Sequence, residues 1–138
     1  MASKNQLTGM QGVYLVASEL SRHGLIASPT SRSARGADIL VTDQDCERAF
    51  SVQVKTNSTG SSYWLLNADA KRITSPTHIY VFVRLKKNAG APDFFVVPSQ
   101  VVADEMASSV GANGNWQSFD QEKASRFQDK WNIFETGQ

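Results

Sequence analysis

The sequence predicts an α/β or α+β domain in which a central mixed sheet of about five strands is flanked by helices. Helical and strand-like hydrophobic patterns alternate along the 138 residues, and no internal repeat or interdomain linker interrupts them. The most apolar segment, 77–85, has the nearly continuous hydrophobic run of a strand that is covered on both faces. A chain of this length is most simply one domain, spanning residues 1–138.

The first half of the chain predicts one helix followed by three strands. Segment 12–23 carries apolar side chains at the i, i+3, i+4 and i+7 positions of a helix. Strands are expected at 25–28, 37–41 and 50–55, and the polar residues 42–48 predict a turn between the last two.

The second half adds strands and two further helices. Strands are expected at 63–67, 77–85 and 93–97, with a short helix or turn after the first of them. A helix is expected to begin at Ser99 and a last one to run from Asp120 to Trp131, with a loop between them over 111–115.

The charge of the chain is small overall but unevenly placed. The formal net charge is +1, yet residues 1–90 hold eleven Lys/Arg and six Asp/Glu, whereas residues 91–138 hold three and seven. This asymmetry is compatible with one basic face that attracts nucleic acid.

Several classes of protein are disfavoured by what the sequence lacks. The single cysteine, Cys46, excludes an intramolecular disulfide framework and fits a reducing cytoplasm. His23 and His78 have no zinc-ligand spacing, and no glycine-rich nucleotide-binding motif occurs. No apolar run approaches the ~20 residues of a membrane span. We therefore expect a soluble cytoplasmic protein without a membrane partner.

Two neighbouring strands carry the residues best suited to catalysis or metal binding. Alternation along 50–55 places Ser51, Gln53 and Lys55 on the face opposite the apolar side chains, and Asp38 opens the preceding strand. A carboxylate, an oxygen ligand and a lysine at one point are what a magnesium-dependent phosphodiesterase requires. The alternative is a cross-strand ion pair between Asp38 and Lys55 without a metal.

Two further groups of residues complete this hypothesis. Glu19 falls beside the apolar stripe of the first helix, from where its carboxylate can reach the sheet, although a solvated glutamate has the same pattern. The hydroxyl- and arginine-rich loop before Asp38 is suited to phosphate oxygens, and a merely exposed loop has the same composition. The candidate nucleic-acid contacts in that loop are Thr30, Ser31, Arg32 and Arg35.

These pieces together resemble the PD-(D/E)XK nuclease superfamily, and most closely its small restriction-endonuclease-like and archaeal Holliday-junction-resolvase-like proteins. The likeness rests on three stretches, 12–20, 35–40 and 52–56, which contain a helical glutamate, an aspartate that opens a strand and a Gln-x-Lys on the next strand. The later strands match only in kind.

The resemblance implies a role for each matching residue. Asp38 would ligate Mg²⁺ (or Mn²⁺) directly, Gln53 and the backbone carbonyl of Val54 would be further ligands, and Glu19 would complete the metal shell. Lys55 would orient or activate the attacking water and offset charge on the phosphate. Gln53 is neutral where the commoner motif has an acid, so the metal is expected to bind more weakly.

The sequence therefore leads to two alternative functions. The first is a metal-dependent endonuclease that hydrolyses DNA, including branched or structured DNA, and acts as a homodimer because two strands require two sites. The second is a catalytically weak or inactive nuclease-fold protein that binds nucleic acid or a protein partner as an accessory or immunity-type module.

Overall fold

Two β-sheets and their flanking helices make up the chain, as described by a computed structural model for residues 2–31, 36–58, 60–111 and 114–136. The helices are α1 (Lys4–Arg22), α2 (Ser99–Glu105), α3 (Gln121–Ala124) and α4 (Ile133–Thr136). The strands are β1 (Ile26–Pro29), β2 (Ile39–Thr42), β3 (Ala49–Asn57), β4 (Tyr63–Leu66), β5 (His78–Arg84), β6 (Asp93–Pro98), β7 (Ala107–Gly111) and β8 (Gly114–Asp120).

The larger sheet has five strands in the order β1-β2-β3-β5-β6 and is mixed, which confirms the predicted fold class. Only β3 and β5 pair in parallel, and the other neighbours are antiparallel. Every residue of β5 is buried, as expected for a central strand that is covered on both faces. The smaller sheet has the order β4-β8-β7.

The two faces of the larger sheet bury separate hydrophobic clusters. One face packs against α1 and includes the large side chains Leu20, Trp131 and Phe134. The other face packs against the smaller sheet and α2, around Trp64 and Phe82. Alternation along β3 sends Val52 and Val54 to the first cluster, so the polar residues between them face the second layer.

Helix α1 begins two turns earlier than the hydrophobic pattern predicts. Ser3 is its N-cap, and a reciprocal pair of hydrogen bonds with Gln6 forms a capping box: the Ser3 hydroxyl accepts from the Gln6 amide at 3.2 Å, and the Gln6 side chain accepts from the Ser3 amide at 2.8 Å. The extra turns are largely exposed, and for that reason they leave no apolar stripe in the sequence.

The segment after α2 differs most from its prediction. Strands β7 and β8 form a hairpin across the expected loop at 111–115. Of the helix expected from Asp120 to Trp131, only α3 and a 3-10 turn that ends at Phe127 form; beyond them Asp129 has a positive φ of 54°, and its amide donates to the carbonyl of Phe94 at 3.0 Å. This turn places Trp131 against Phe94, with ring centroids 5.6 Å apart. No helix in the described part of the chain is both long and apolar enough to cross a membrane.

Helix α1 lies close against the larger sheet at Gly12. A Cβ atom at this position would lie 1.8 Å from the Thr56 hydroxyl oxygen and 2.9 Å from the Thr56 Cβ. Rotating the threonine side chain moves the hydroxyl but leaves its Cβ in place, so only glycine allows this approach.

We predict that Gly12→Ala destabilises the protein by about 1–3 kcal/mol, because the added methyl group overpacks the contact between helix and sheet. Urea unfolding followed by circular dichroism measures the change. Adding Thr56→Ala should restore part of the loss, and Gly9→Ala is the control, since a Cβ at Gly9 meets nothing within 4 Å. A stable Gly12→Ala single variant would contradict the close approach.

Candidate active site

Asp38 lies directly before β2, at the point beyond which β3 is no longer paired with β2 and keeps only β5 as its neighbour. Its backbone amide donates to the Val52 carbonyl at 2.8 Å, and its own carbonyl accepts from the Thr30 amide at 2.9 Å. The backbone of Asp38 is therefore held from both sides, by β3 and by the segment after β1. After Val52, the edge of β3 that faced β2 has no paired strand, so a side chain can bind there.

The Asp38 carboxylate fills that open edge. Its Oδ2 atom accepts a hydrogen bond from the Val54 amide at 2.8 Å and another from the Gln53 Nε2 atom at 3.1 Å. In a strand the N–H and C=O of one residue point to the same neighbour, so the Val54 carbonyl also faces this edge. The structure thus brings Asp38, Gln53 and Val54 into contact, as the sequence leads one to expect.

Lys55 lies on the same face of β3 as Gln53 but deeper under the second layer. Burial lowers the pKa of its ammonium group, and the negative charge of Asp38 opposes that shift. Within the described residues the ammonium group makes no hydrogen bond or ion pair. It therefore keeps its donors for a water molecule or an anion.

The surroundings of Lys55 are buried and polar. A small cavity beside it is lined by Asn67, Asp69, His78 and Tyr80. His78 Nδ1 and the Ser51 hydroxyl share a hydrogen bond of 2.7 Å, and burial lowers the pKa of His78. These contacts pack the wall behind Lys55 and favour a neutral His78.

Glu19 is not brought to this group. Its carboxylate binds Arg22 within α1, at 2.8 Å and 3.2 Å, and the hydrogen bond from Arg22 lowers its pKa. It is absent from the residues that line the cavity at Asp38, where the nearest part of α1 ends at Tyr14. Glu19 follows Val13 by six residues, which is about 9 Å along the helix axis.

The polar α1 side chain that lies at the Asp38 cavity is Gln6 and not, as predicted from the sequence, Glu19. Gln6 lines a cavity of about 320 Å³ at Asp38, together with Gly9, Met10, Val13, Tyr14, Pro29, Thr30, Ser31, Gln53 and Val54. The motif Ser3-x-x-Gln6 is a capping-box signature. It indicates a helix that begins near residue 4 instead of residue 12, and this would have included Gln6 among the helical residues that can lie beside the sheet.

Two of the four expected nucleic-acid contacts lie at this cavity. Thr30 and Ser31 line it, and the Thr30 hydroxyl donates to the Ala37 carbonyl at 2.6 Å. Arg32 and Arg35 lie outside the described residues.

The comparisons with known proteins identify the architecture. No protein-family model matches the sequence, and no curated protein matches it significantly. Among solved structures, the bacterial homing endonuclease I-Ssp6803I matches with a TM-score of 0.63 at 15% identity, over 99% of this chain and 95% of that one. Archaeoglobus fulgidus Hjc, a Holliday junction resolvase from an archaeal hyperthermophile, matches with a TM-score of 0.56 at 15% identity, over 94% of this chain and 100% of that one.

The chain has the restriction-endonuclease-like nuclease fold. This confirms the fold that the Asp38 and Gln-x-Lys pattern implied. At this level of identity the likeness concerns the fold alone.

The oxygen atoms at Asp38 are suited to Mg²⁺ but carry little charge. Among the described residues, no three His, Cys, Asp or Glu side chains lie close enough together to hold a metal. The available donors are the Asp38 carboxylate, the Gln53 amide oxygen and the Val54 carbonyl. Mg²⁺ can be held by one carboxylate when waters and substrate phosphates supply the other positions, so these donors fit a weakly held ion.

We predict that Asp38→Asn lowers the pKa of Lys55 further, because it removes the charge that opposes the effect of burial. An NMR titration of the lysine side-chain signals measures this pKa directly and needs no activity. Asp104→Asn is the control, since Asp104 is exposed on α2 and accepts a hydrogen bond from Gln100. An unchanged or raised pKa of Lys55 in Asp38→Asn would show that the two groups do not interact.

Proposed function

We propose that this chain is a single-domain, metal-dependent endonuclease that hydrolyses phosphodiester bonds in DNA. One observation carries the proposal. The Asp38 carboxylate, the Gln53 amide and the Val54 backbone meet at the edge of β3 that β2 leaves open, and Lys55 follows on the same strand, where its ammonium group binds no side chain among the described residues. The restriction-endonuclease-like fold supports it, since the two structures described above are, by their printed names, a homing endonuclease and a Holliday junction resolvase.

In this proposal the metal is Mg²⁺ or Mn²⁺, and its ligands are Asp38 Oδ, Gln53 Oε1 and the Val54 carbonyl. Gln53 donates to Asp38 through Nε2, so its amide must rotate by about half a turn to present Oε1. When bound, the ion would polarise a phosphate oxygen and offset its negative charge. Glu19 is left out of the ligand set because Arg22 holds its carboxylate.

Lys55 would act on the nucleophile and on the phosphate. Its ammonium group is placed to hydrogen bond a water molecule and to offset the charge that develops as that water attacks phosphorus. The new bond joins the water oxygen to phosphorus, and the bond to the 3′ oxygen breaks, which leaves a 5′-phosphate and a 3′-hydroxyl. The lowered pKa of Lys55 eases its exchange of a proton with the water.

The substrate would reach the site along the segment after β1. Thr30 and Ser31 lie at the cavity beside Asp38, and Arg32 and Arg35 follow them in the sequence. Their hydroxyl and guanidinium groups are suited to backbone phosphates. A homodimer would supply the second site that cleavage of two strands or two arms requires.

A second function is favoured by the hydrogen bond from Gln53 to Asp38. This bond satisfies the Asp38 carboxylate without a cation, and Gln6 is likewise neutral. Under this alternative the chain keeps the fold and binds nucleic acid or a protein partner but does not cut. The two functions differ in one observable, which is cleavage.

A cleavage assay separates them. The purified chain is incubated with supercoiled plasmid, linear duplex and a four-way junction, in Mg²⁺, in Mn²⁺ and in chelator. We predict metal-dependent cleavage that falls at least a hundredfold in Asp38→Asn and in Lys55→Met, because each variant removes a group that acts on the phosphate or on the metal.

The matched controls for this assay are Asp45→Asn and Lys87→Met, which change the same residue types at exposed turns away from the site. Cleavage that survives both site substitutions would refute the assignment of Asp38 and Lys55. Binding of DNA without cleavage in either metal would support the second function.

A further inference from the structure

The cavity at Asp38 has two chemically different walls. One wall is polar and is formed by Asp38, Gln53 and Thr30. The other belongs to α1 and the end of β1 and is built from Met10, Val13, Tyr14 and Pro29. Hydrolysis of a phosphodiester uses only the polar wall, so the proposed function does not account for the apolar one.

Tyr14 is the exposed member of the apolar wall, whereas Val13 packs against the hydrophobic cluster between α1 and the larger sheet. Tyr14 is 59% exposed, and neither cluster of buried side chains includes it. None of the described residues that line the cavity is a Lys or Arg, so the walls they form do not suit a run of duplex phosphates. An aromatic and a thioether side chain beside a polar floor instead suit a flat ring attached to an anion.

The size of the cavity agrees with such a ligand. Its volume of about 320 Å³ lies at the lower end of the range for sites that enclose a small organic molecule, about 300–1,000 Å³. A phosphate group alone would leave most of it empty. A nucleotide has a phosphate for the polar wall and a base for the apolar wall.

Gln6 adds a hydrogen-bonding group at the apolar end. The Ser3 amide holds its Oε1 atom at 2.8 Å through the capping box, which leaves Nε2 as a donor. The cap therefore fixes the side chain of Gln6 at the wall of the cavity. A donor held at this wall can contact an acceptor on the edge of a base.

We propose that this cavity receives an unstacked nucleobase and that Tyr14 is the positioning residue on which the base stacks. The substrate class is then DNA with unpaired nucleotides, such as a flap, a gap or the crossover of a branch, in preference to uninterrupted duplex. The proposal rests on the proposed function, because the phosphate of the same nucleotide would lie at Asp38. Stacking on an aromatic side chain suits any base, so the site selects unpaired structure over sequence.

The test measures binding in chelator, so that chemistry plays no part. The probes are oligonucleotides with 2-aminopurine at one position, which is either unpaired in a flap or paired in a duplex. We expect the protein to change the fluorescence of the unpaired probe and to bind the flap at least tenfold more tightly than the duplex. In Tyr14→Ala the change in fluorescence should be lost and the Kd for the flap should rise about tenfold, whereas Tyr14→Phe should retain both.

Leu7→Ala is the matched control, since Leu7 is an exposed apolar residue of α1 that does not line the cavity. Its binding should equal that of the unsubstituted protein. Thermal unfolding by circular dichroism checks that all variants are folded. Equal affinity for flap and duplex, or unchanged binding by Tyr14→Ala, would overturn the proposal. Tighter binding to an RNA of the same sequence would overturn the assignment to DNA.

The outcome is separable from that of the cleavage assay. Cleavage of flap and duplex at equal rates in Mg²⁺ would support the nuclease function and contradict the base site. Tyr14-dependent binding of the flap without cleavage in any metal would uphold the base site and reject catalysis. The absence of any DNA binding would reject both.

Discussion

The hydrogen bonds of the Asp38 carboxylate are the interaction on which the candidate site depends. They join the last residue before β2 to the Gln53 side chain and the Val54 amide, at the point where β3 is no longer paired with β2. A carboxylate at position 53 would place a second negative charge beside the first and would require a cation to hold the pair together. Glutamine removes that requirement. Under the proposed function, the site would form before any metal binds, and its affinity for the metal would be lower than with a glutamate at position 53.

The rest of the fold positions this contact. The close approach at Gly12 sets α1 against β3, and the capped first turns of the helix then extend beside Asp38 and Gln53. On the opposite face, the buried pair of Ser51 and His78 packs the wall behind Lys55. Site residues on a strand in the middle of a sheet are held more rigidly than residues on a loop, which favours a preorganised arrangement.

The parts of the structure that follow from local pattern could be predicted from sequence. Alternation along β3 separated Gln53 and Lys55 from the buried valines, and the apolar run of β5 identified the centre of the sheet. The position of Glu19 could not be predicted in this way. Helical periodicity gives the angle of a residue about the axis but not the part of the helix that crosses the sheet, and here that part is the end around Gln6.

Contacts between residues that are distant in the sequence account for the other differences between the predicted and the observed elements. All residues of β7 are exposed, so no apolar alternation indicated the hairpin. The helix expected over 120–131 does not reach Trp131, and the Asp129 amide bonds instead to Phe94, a residue 35 positions earlier that the sequence pattern cannot relate to it. One charged contact also differs from its expected role: Glu19 pairs with Arg22 within α1 and does not reach Asp38.

The most direct test of a weakly held metal at Asp38 is the Mg²⁺ dependence of DNA cleavage in the unsubstituted chain and in Gln53→Glu, with Gln11→Glu on the exposed face of α1 as control. The glutamate adds one negative ligand charge, so half-maximal cleavage should require at least about tenfold less Mg²⁺ in Gln53→Glu, while Gln11→Glu should not differ from the unsubstituted chain. An identical Mg²⁺ dependence in all three proteins, or no cleavage even by Gln53→Glu, would contradict a metal site formed by Asp38 and residue 53.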